Sequence, residues 1–169
     1  MTERMQWTSR KFALGIPPEW MPNVIERLHG TGVRLEAISE GLHDSVLCAQ
    51  LAGAWSLKQH IGHLIDLEAL HLGRVEDFRN DAATLRPADM SNAATQSANH
   101  NAKPLAGLLA EFQQERARLV EALLGLGTNR QSMSVQHPRL DVPMRPVDLA
   151  FFVAEHDDHH LATMRGLLP

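Results

Sequence analysis

The chain has 169 residues, 44% apolar and 21% charged, an ordinary balance for one domain with a sizeable core, spanning residues 1–169. Its net charge of −4 and lack of any basic run exclude a surface built to track phosphate backbones, so no nucleic-acid partner is expected. The single Cys48 excludes an internal disulfide framework and suits a reducing compartment. No apolar run is long enough for a membrane span and no signal-peptide pattern opens the chain, so a soluble cytoplasmic protein is expected.

Residues 1–22 read as irregular, because "GIPPEWMP" carries three prolines that favour extended or turn backbone. From Asn23, Val24, Leu28, Leu35, Ile38 and Leu42 recur at helical spacing, although Gly30 and Gly32 weaken that helix. Cys48 has neither a helix-start nor a paired-cysteine context and reads as a buried, inert thiol. A second long helix opens at "WSLKQ", where Ser56 and Gln59 form a capping-box pattern. Ile61, Leu64, Leu67, Leu70, Val75 and Phe78 form its apolar face.

"NDAATLRPADMSNAATQSANHNAK" lacks strong periodicity and reads as a long connection with room for a helical turn. Connections of this length are more often functional than passive. A third helix opens near Pro104 and carries Leu105, Leu108, Leu109, Phe112, Leu119, Leu123 and Leu124 at helical spacing until "GLGTN". "RQSMSVQHPRLDVPMRP" is a second irregular crossover. The last helix runs from about Val147 to Leu167. No strand alternation or fixed-period repeat stands out. The expected fold is all-α, a four-helix bundle with long crossover connections.

Ten histidines are the compositional oddity. His156 and His160 lie four apart in "AEHDDHHLATM", on the face that continues through Phe152, Val153 and Met164. Four residues turn a helix by about 40° beyond one full turn, so both imidazoles can reach one divalent ion. The competing reading is a surface histidine pair. A metal site needs a third ligand, and the second long helix offers His60 and His63, between which spacing does not choose. Three histidines would leave a position open for water or substrate.

His159 reads as an alternative ligand or a neighbour that packs. Asp157 and Asp158 read as a solvated face. Glu155 and Asp66 are candidates for orienting imidazoles. His71 reads as a packed histidine, and His29, His43 and His100 have no supporting context. In "HPRL", the simpler reading of His137 is a solvated imidazole in a turn. The alternative is that His137 or Arg139 contacts an anionic substrate.

"WSLKQHIGHLIDLE" followed by "FFVAEHDDHHLATMRGL" resembles the DinB-like (DinB/YfiT-like) proteins, a superfamily of metal-binding four-helix bundles, over most of the chain. The resemblance implies helices running up-down-down-up. It implies a three-histidine metal site at His63, eight residues after Trp55, with His156 and His160. It further implies a nickel or zinc ion, a frequent homodimer, and a small-molecule substrate. Some relatives use low-molecular-weight thiols in transfer or isomerisation; others carry a metal-dependent hydrolase label. The expected function is therefore a metal-dependent transferase or hydrolase whose metal activates water or a thiolate. The alternative is a non-catalytic bundle that binds metal for structure or sensing.

Overall fold

The computed structural model describes residues 5–51 and 53–168. Ahead of the bundle, Trp7–Ser9 and Pro18–Trp20 form single 3-10 turns in an otherwise irregular segment. The helices in chain order are α1 (Met21–Ser39), α2 (Asp44–Leu47), α3 (Leu57–Arg79), α4 (Ala93–Ser97), α5 (Leu105–Leu124), α6 (Thr128–Gln131) and α7 (Pro146–Gly166). The four long ones, α1, α3, α5 and α7, make the bundle. Gly30 and Gly32 do not interrupt α1, whose buried Leu28, Leu35 and Ile38 supply the packing that outweighs their weak helix propensity.

Local chemistry sets the helix ends. Ser56 Oγ accepts from Gln59 N, and Gln59 Oε1 accepts from Ser56 N, so the capping box forms as expected. At the start of α7, Asp148 accepts from Arg145 N through Oδ2 and from Gly15 N and Ile16 N through Oδ1. One buried carboxylate thus caps the helix and pins the N-terminal segment across it.

The core falls into two apolar clusters, and they fix the helix directions. One contains Met21, Val24 and Leu28 of α1, Val75 and Phe78 of α3, Leu119 and Leu123 of α5, and Val147 to Ala154 of α7. The other contains Leu35 and Ile38, Leu57 to Ile65, Leu108 and Phe112, and Leu161 and Met164. Helices α1 and α7 therefore run from the first cluster to the second, while α3 and α5 run back. This is the up-down-down-up order; α3 and α5 are parallel, so the first crossover must return along the length of the bundle.

Three expectations need correction here. The second crossover is not wholly irregular: β1 (Val135–His137) and β2 (Val142–Met144) form an antiparallel hairpin. Each strand has only three residues, too few for an alternation to be visible in sequence. Gln136 also bridges Thr84, tying the two crossovers together. Asp157 is not on a solvated face. It is buried at 1% exposure, where Arg116 holds it through Nη1 (2.5 Å) and Nη2 (3.1 Å) and Thr31 Oγ1 donates to it at 2.8 Å. The half-buried Asp158 is also paired, with Arg27 and Arg34. Cys48 is half-buried, with Sγ 3.6 Å from Asp44 Oδ2 and from the Asn101 carbonyl.

Candidate metal centre

His63 projects from α3, and His156 and His160 from successive turns of α7. All three are buried, and one nitrogen from each lies within 4.8 Å of the others. His156 Nε2 and His160 Nε2 are 3.1 Å apart. Two nitrogens bound tetrahedrally at 2.0–2.1 Å would be separated by about 3.3 Å, so the helix spacing presets one edge of a coordination shell.

The protonation states suit ligation. Burial lowers His63 from 6.5 to about 4 and pushes His156 and His160 well below their ordinary value. All three are therefore neutral near pH 7 and carry a lone pair. Among the described residues, His156 Nδ1 is buried without a hydrogen-bond partner. Three clustered imidazoles that disfavour each other's protonation, with two Nε2 atoms facing one another, fit a divalent cation better than a self-contained hydrogen-bond network.

Neighbouring groups orient two of the rings. Thr95 Oγ1 donates its only proton to Asp66 Oδ2 at 2.8 Å, so at 3.1 Å from His63 Nδ1 it must accept. That fixes the His63 proton on Nδ1 and frees Nε2. Asp66 thus acts on His63 through Thr95, which lies on α4 in the first crossover. His100 Nε2 lies 2.9 Å from the same Asp66 oxygen. This arrangement depends on Gly62, because a Cβ there would sit 2.1 Å from the His100 ring. His60, the other candidate in α3, has Nδ1 2.8 Å from His160 Nδ1. It therefore stands behind His160 while His63 joins the cluster.

The triad forms the floor of a pocket of about 470 Å³. Trp55 and Trp7 flank it, their rings 4.7 Å from His63 and 4.9 Å from His156, centroid to centroid. His71, His137, Arg139 and His159 also line it. His159 packs its ring 5.8 Å from Trp7 and 5.6 Å from His160. The simpler reading of His137 is overturned: it is buried, because the hairpin folds it against Phe152. Its Nδ1 accepts from Arg139 N and Leu140 N. Glu155 does not orient an imidazole; Arg10 and Arg27 take its carboxylate. Sequence reasoning missed Thr95, His100 and Arg74. The length of the first crossover was the only signal for the first two.

A four-helix bundle with two long crossovers and three convergent histidines defines a class of helical-bundle proteins with a metal-competent pocket. The chain belongs to the DinB superfamily, whose family model matches residues 27–164. Among solved structures it is similar to YfiT from Bacillus subtilis, described as a probable metal-dependent hydrolase with an unusual four-helix bundle topology. The two chains are 23% identical with a TM-score of 0.78, over 94% of this chain and 91% of that one. At that identity the likeness speaks for the fold. No curated protein matches. Among the described residues, no helix is long and apolar enough to cross a membrane.

Proposed function

We propose that the chain is a divalent-metal-dependent enzyme acting on a small molecule, with His63, His156 and His160 as ligands. One observation carries this reading: three buried, neutral imidazoles from two helices converge on the floor of an open pocket. A bound nickel or zinc ion would supply Lewis acidity to water or a thiol. His63 presents Nε2 because Thr95 holds its other nitrogen. The tryptophans and Leu67 give the pocket apolar walls that limit water.

Among the described residues no serine or cysteine lines the pocket, so the nucleophile in this reading is water or a thiol from outside the chain. Water makes the enzyme a hydrolase, and a low-molecular-weight thiol makes it a thiol-dependent transferase. The description of YfiT supports the first. The family resemblance in the two histidine-bearing helices supports the second and also a homodimer, and the single cysteine suits a cytoplasmic location. A purely structural metal is the weaker reading, because closed structural zinc sites use four protein ligands, whereas the cluster among the described residues has three, all of which line the pocket.

Elemental analysis of the purified full chain and of His63→Ala, His156→Ala and His160→Ala tests the ligand set. Wild type should carry one equivalent of metal and each variant far less; full metal in all three variants refutes the ligand set. The loaded protein is then assayed with esters and with electrophiles plus a thiol panel. Strict dependence on one thiol rejects hydrolysis. Turnover of neither substrate class would favour the structural reading. Sedimentation of the full chain checks the dimer.

A further inference from the structure

The far end of the same pocket holds a second polar group. Arg74 lines it from α3, eleven positions beyond His63, which at 1.5 Å per residue is roughly 16 Å along the helix. His63, Leu67, His71 and Arg74 therefore form one stripe facing the pocket. Arg74 is only 2% exposed. Its Nε donates to the Arg86 carbonyl at 3.1 Å, and among the described residues no carboxylate pairs with it.

The carboxylate one turn away, Asp77, is already committed. Arg86 donates to it through its backbone N (2.8 Å), Nε (3.1 Å) and Nη2 (2.8 Å). Gly73 makes that possible, since a Cβ there would lie 2.1 Å from the Arg86 guanidinium. Asp89, the one carboxylate lining the pocket, accepts from Ser91 N, Ser91 Oγ and Ala93 N. Asp77 still acts on Arg74 through space, but it makes no direct ion pair with it, and a buried guanidinium in that position gains from an anion that a ligand supplies.

His137 points to the same conclusion independently. Its Nδ1 accepts from two backbone N–H groups, so the neutral ring carries its proton on Nε2. That Nε2 is buried and has no hydrogen-bond partner among the described residues. Arg139, exposed at the rim, adds a second guanidinium.

We propose that Arg74, Arg139 and His137 Nε2–H form an oxyanion-binding subsite, so that the substrate carries a carboxylate or phosphate at the end remote from the histidine triad. Between the two ends the pocket is lined mainly by apolar Leu67, Leu70 and Phe152, with His71 among them. The ligand is thus two-ended: one end reactive towards the histidine site, an apolar middle, and an oxyanion held by the arginine pair. Planar, multidentate donors suit either oxyanion. The assignment rests on reading this pocket as the substrate site, but not on the metal.

Isothermal titration calorimetry of the full chain with succinate, inorganic phosphate and neutral succinamide tests it. Succinate or phosphate should bind and succinamide should not; the tighter of the two oxyanions names the source. Arg74→Gln should weaken binding by about tenfold, the loss of one charge-assisted hydrogen bond, and Arg139→Gln by less. The full chain treated with a chelator should bind the oxyanion as the untreated chain does. A chain that holds no metal but binds the oxyanion would thus sink the metal reading and leave the subsite standing. Should Arg74→Gln not fold, Arg139→Gln alone decides. Absence of oxyanion binding, wild-type binding by the arginine variants, or loss of binding on chelation overturns the subsite.

Discussion

His156 and Asp157 are adjacent on α7, both buried, and they live in opposite kinds of polar environment. Asp157 faces α1 and α5, where Thr31 and Arg116 satisfy it. Arg116 also donates through Nε and Nη2 to Glu68 at 2.8 and 2.6 Å, so the chain itself supplies the countercharge. His156, about 100° round the helix, faces the pocket with His63 and His160, and the nearby carboxylate of Asp66 reaches the cluster only through Thr95. A sealed, internally compensated cluster holds helices together. A neutral cluster of convergent ring nitrogens with an open side is arranged to receive something. Polarity and burial alone would have put the two residues in the same category.

The largest expected effect tests the sealed half. Arg116→Met should cost about 3–5 kcal/mol of stability at pH 7, because it strands Asp157 as an uncompensated buried charge. Denaturant unfolding measures it. The metal content of whatever folded protein remains should be unchanged; joint loss of metal would show that the two clusters are not separate.

The open half was the more legible one in sequence. His156 and His160 are four apart on an otherwise apolar face, and His63 sits on a helix whose capping box and periodicity are both readable. A local rule suffices for such features. Asp157 looked solvated because its partners are far away in the chain: Arg116 is 41 positions upstream and Thr31 is 126. Thr95 and His100 were hidden for a related reason. They lie in a connection without periodicity, which reaches α3 through long-range hydrogen bonds to His63 and Asp66 and through the close approach at Gly62. Arg74 gave no signal either, since its lack of a counterion appears only once Arg86 has taken Asp77.

Acid separates the clusters by the sign of their response. His63 has a folded-state value near 4 against an ordinary 6.5, so between those values the unfolded chain binds the extra proton. Its contribution is fully present above pH 6.5 and declines by about 1.4 kcal/mol per pH unit as pH falls towards 4. His156 and His160 act in the same direction. Glu68 runs the other way. Burial raises it from 4.5 to about 7, so its contribution is present below 4.5 and is lost as pH rises through 7. Metal-free protein should therefore gain stability from pH 4.5 to 6.5. Glu68→Gln should steepen that gain by about 1.4 kcal/mol per unit, read from denaturant midpoints across pH. An unchanged slope would mean that Glu68 is ionised in the folded state.

Gly62→Ala probes the support behind the open cluster. The new methyl would lie 2.1 Å from the His100 ring, against the buried face of α3, so the ring and its segment must move. An overpacked site of this kind costs about 1–3 kcal/mol. Thermal unfolding should show it, and metal affinity should fall with it because Asp66 and Thr95 lose their shared geometry. If affinity is untouched, the segment that carries His100 does not position His63.

The smallest effect is the most specific. Thr95→Val keeps the shape of the side chain but removes the oxygen that accepts from His63 Nδ1 and the hydroxyl proton that Asp66 accepts. His63 can then turn or change tautomer, and its Nε2 lone pair is no longer assured. Loss of a group that orients a ligand typically costs 10–100-fold in metal affinity, about 1.4–2.7 kcal/mol. Thr95→Ser retains the hydroxyl and should bind metal nearly as wild type does, while metal-free stability stays similar in both. That split between two near-isosteric variants cannot come from general loosening of the crossover. It would place Thr95, a residue of the first connection, among the groups that position the open cluster. Equal metal affinity in the valine and serine variants would instead mean that packing between α3 and α7 alone holds His63 in place.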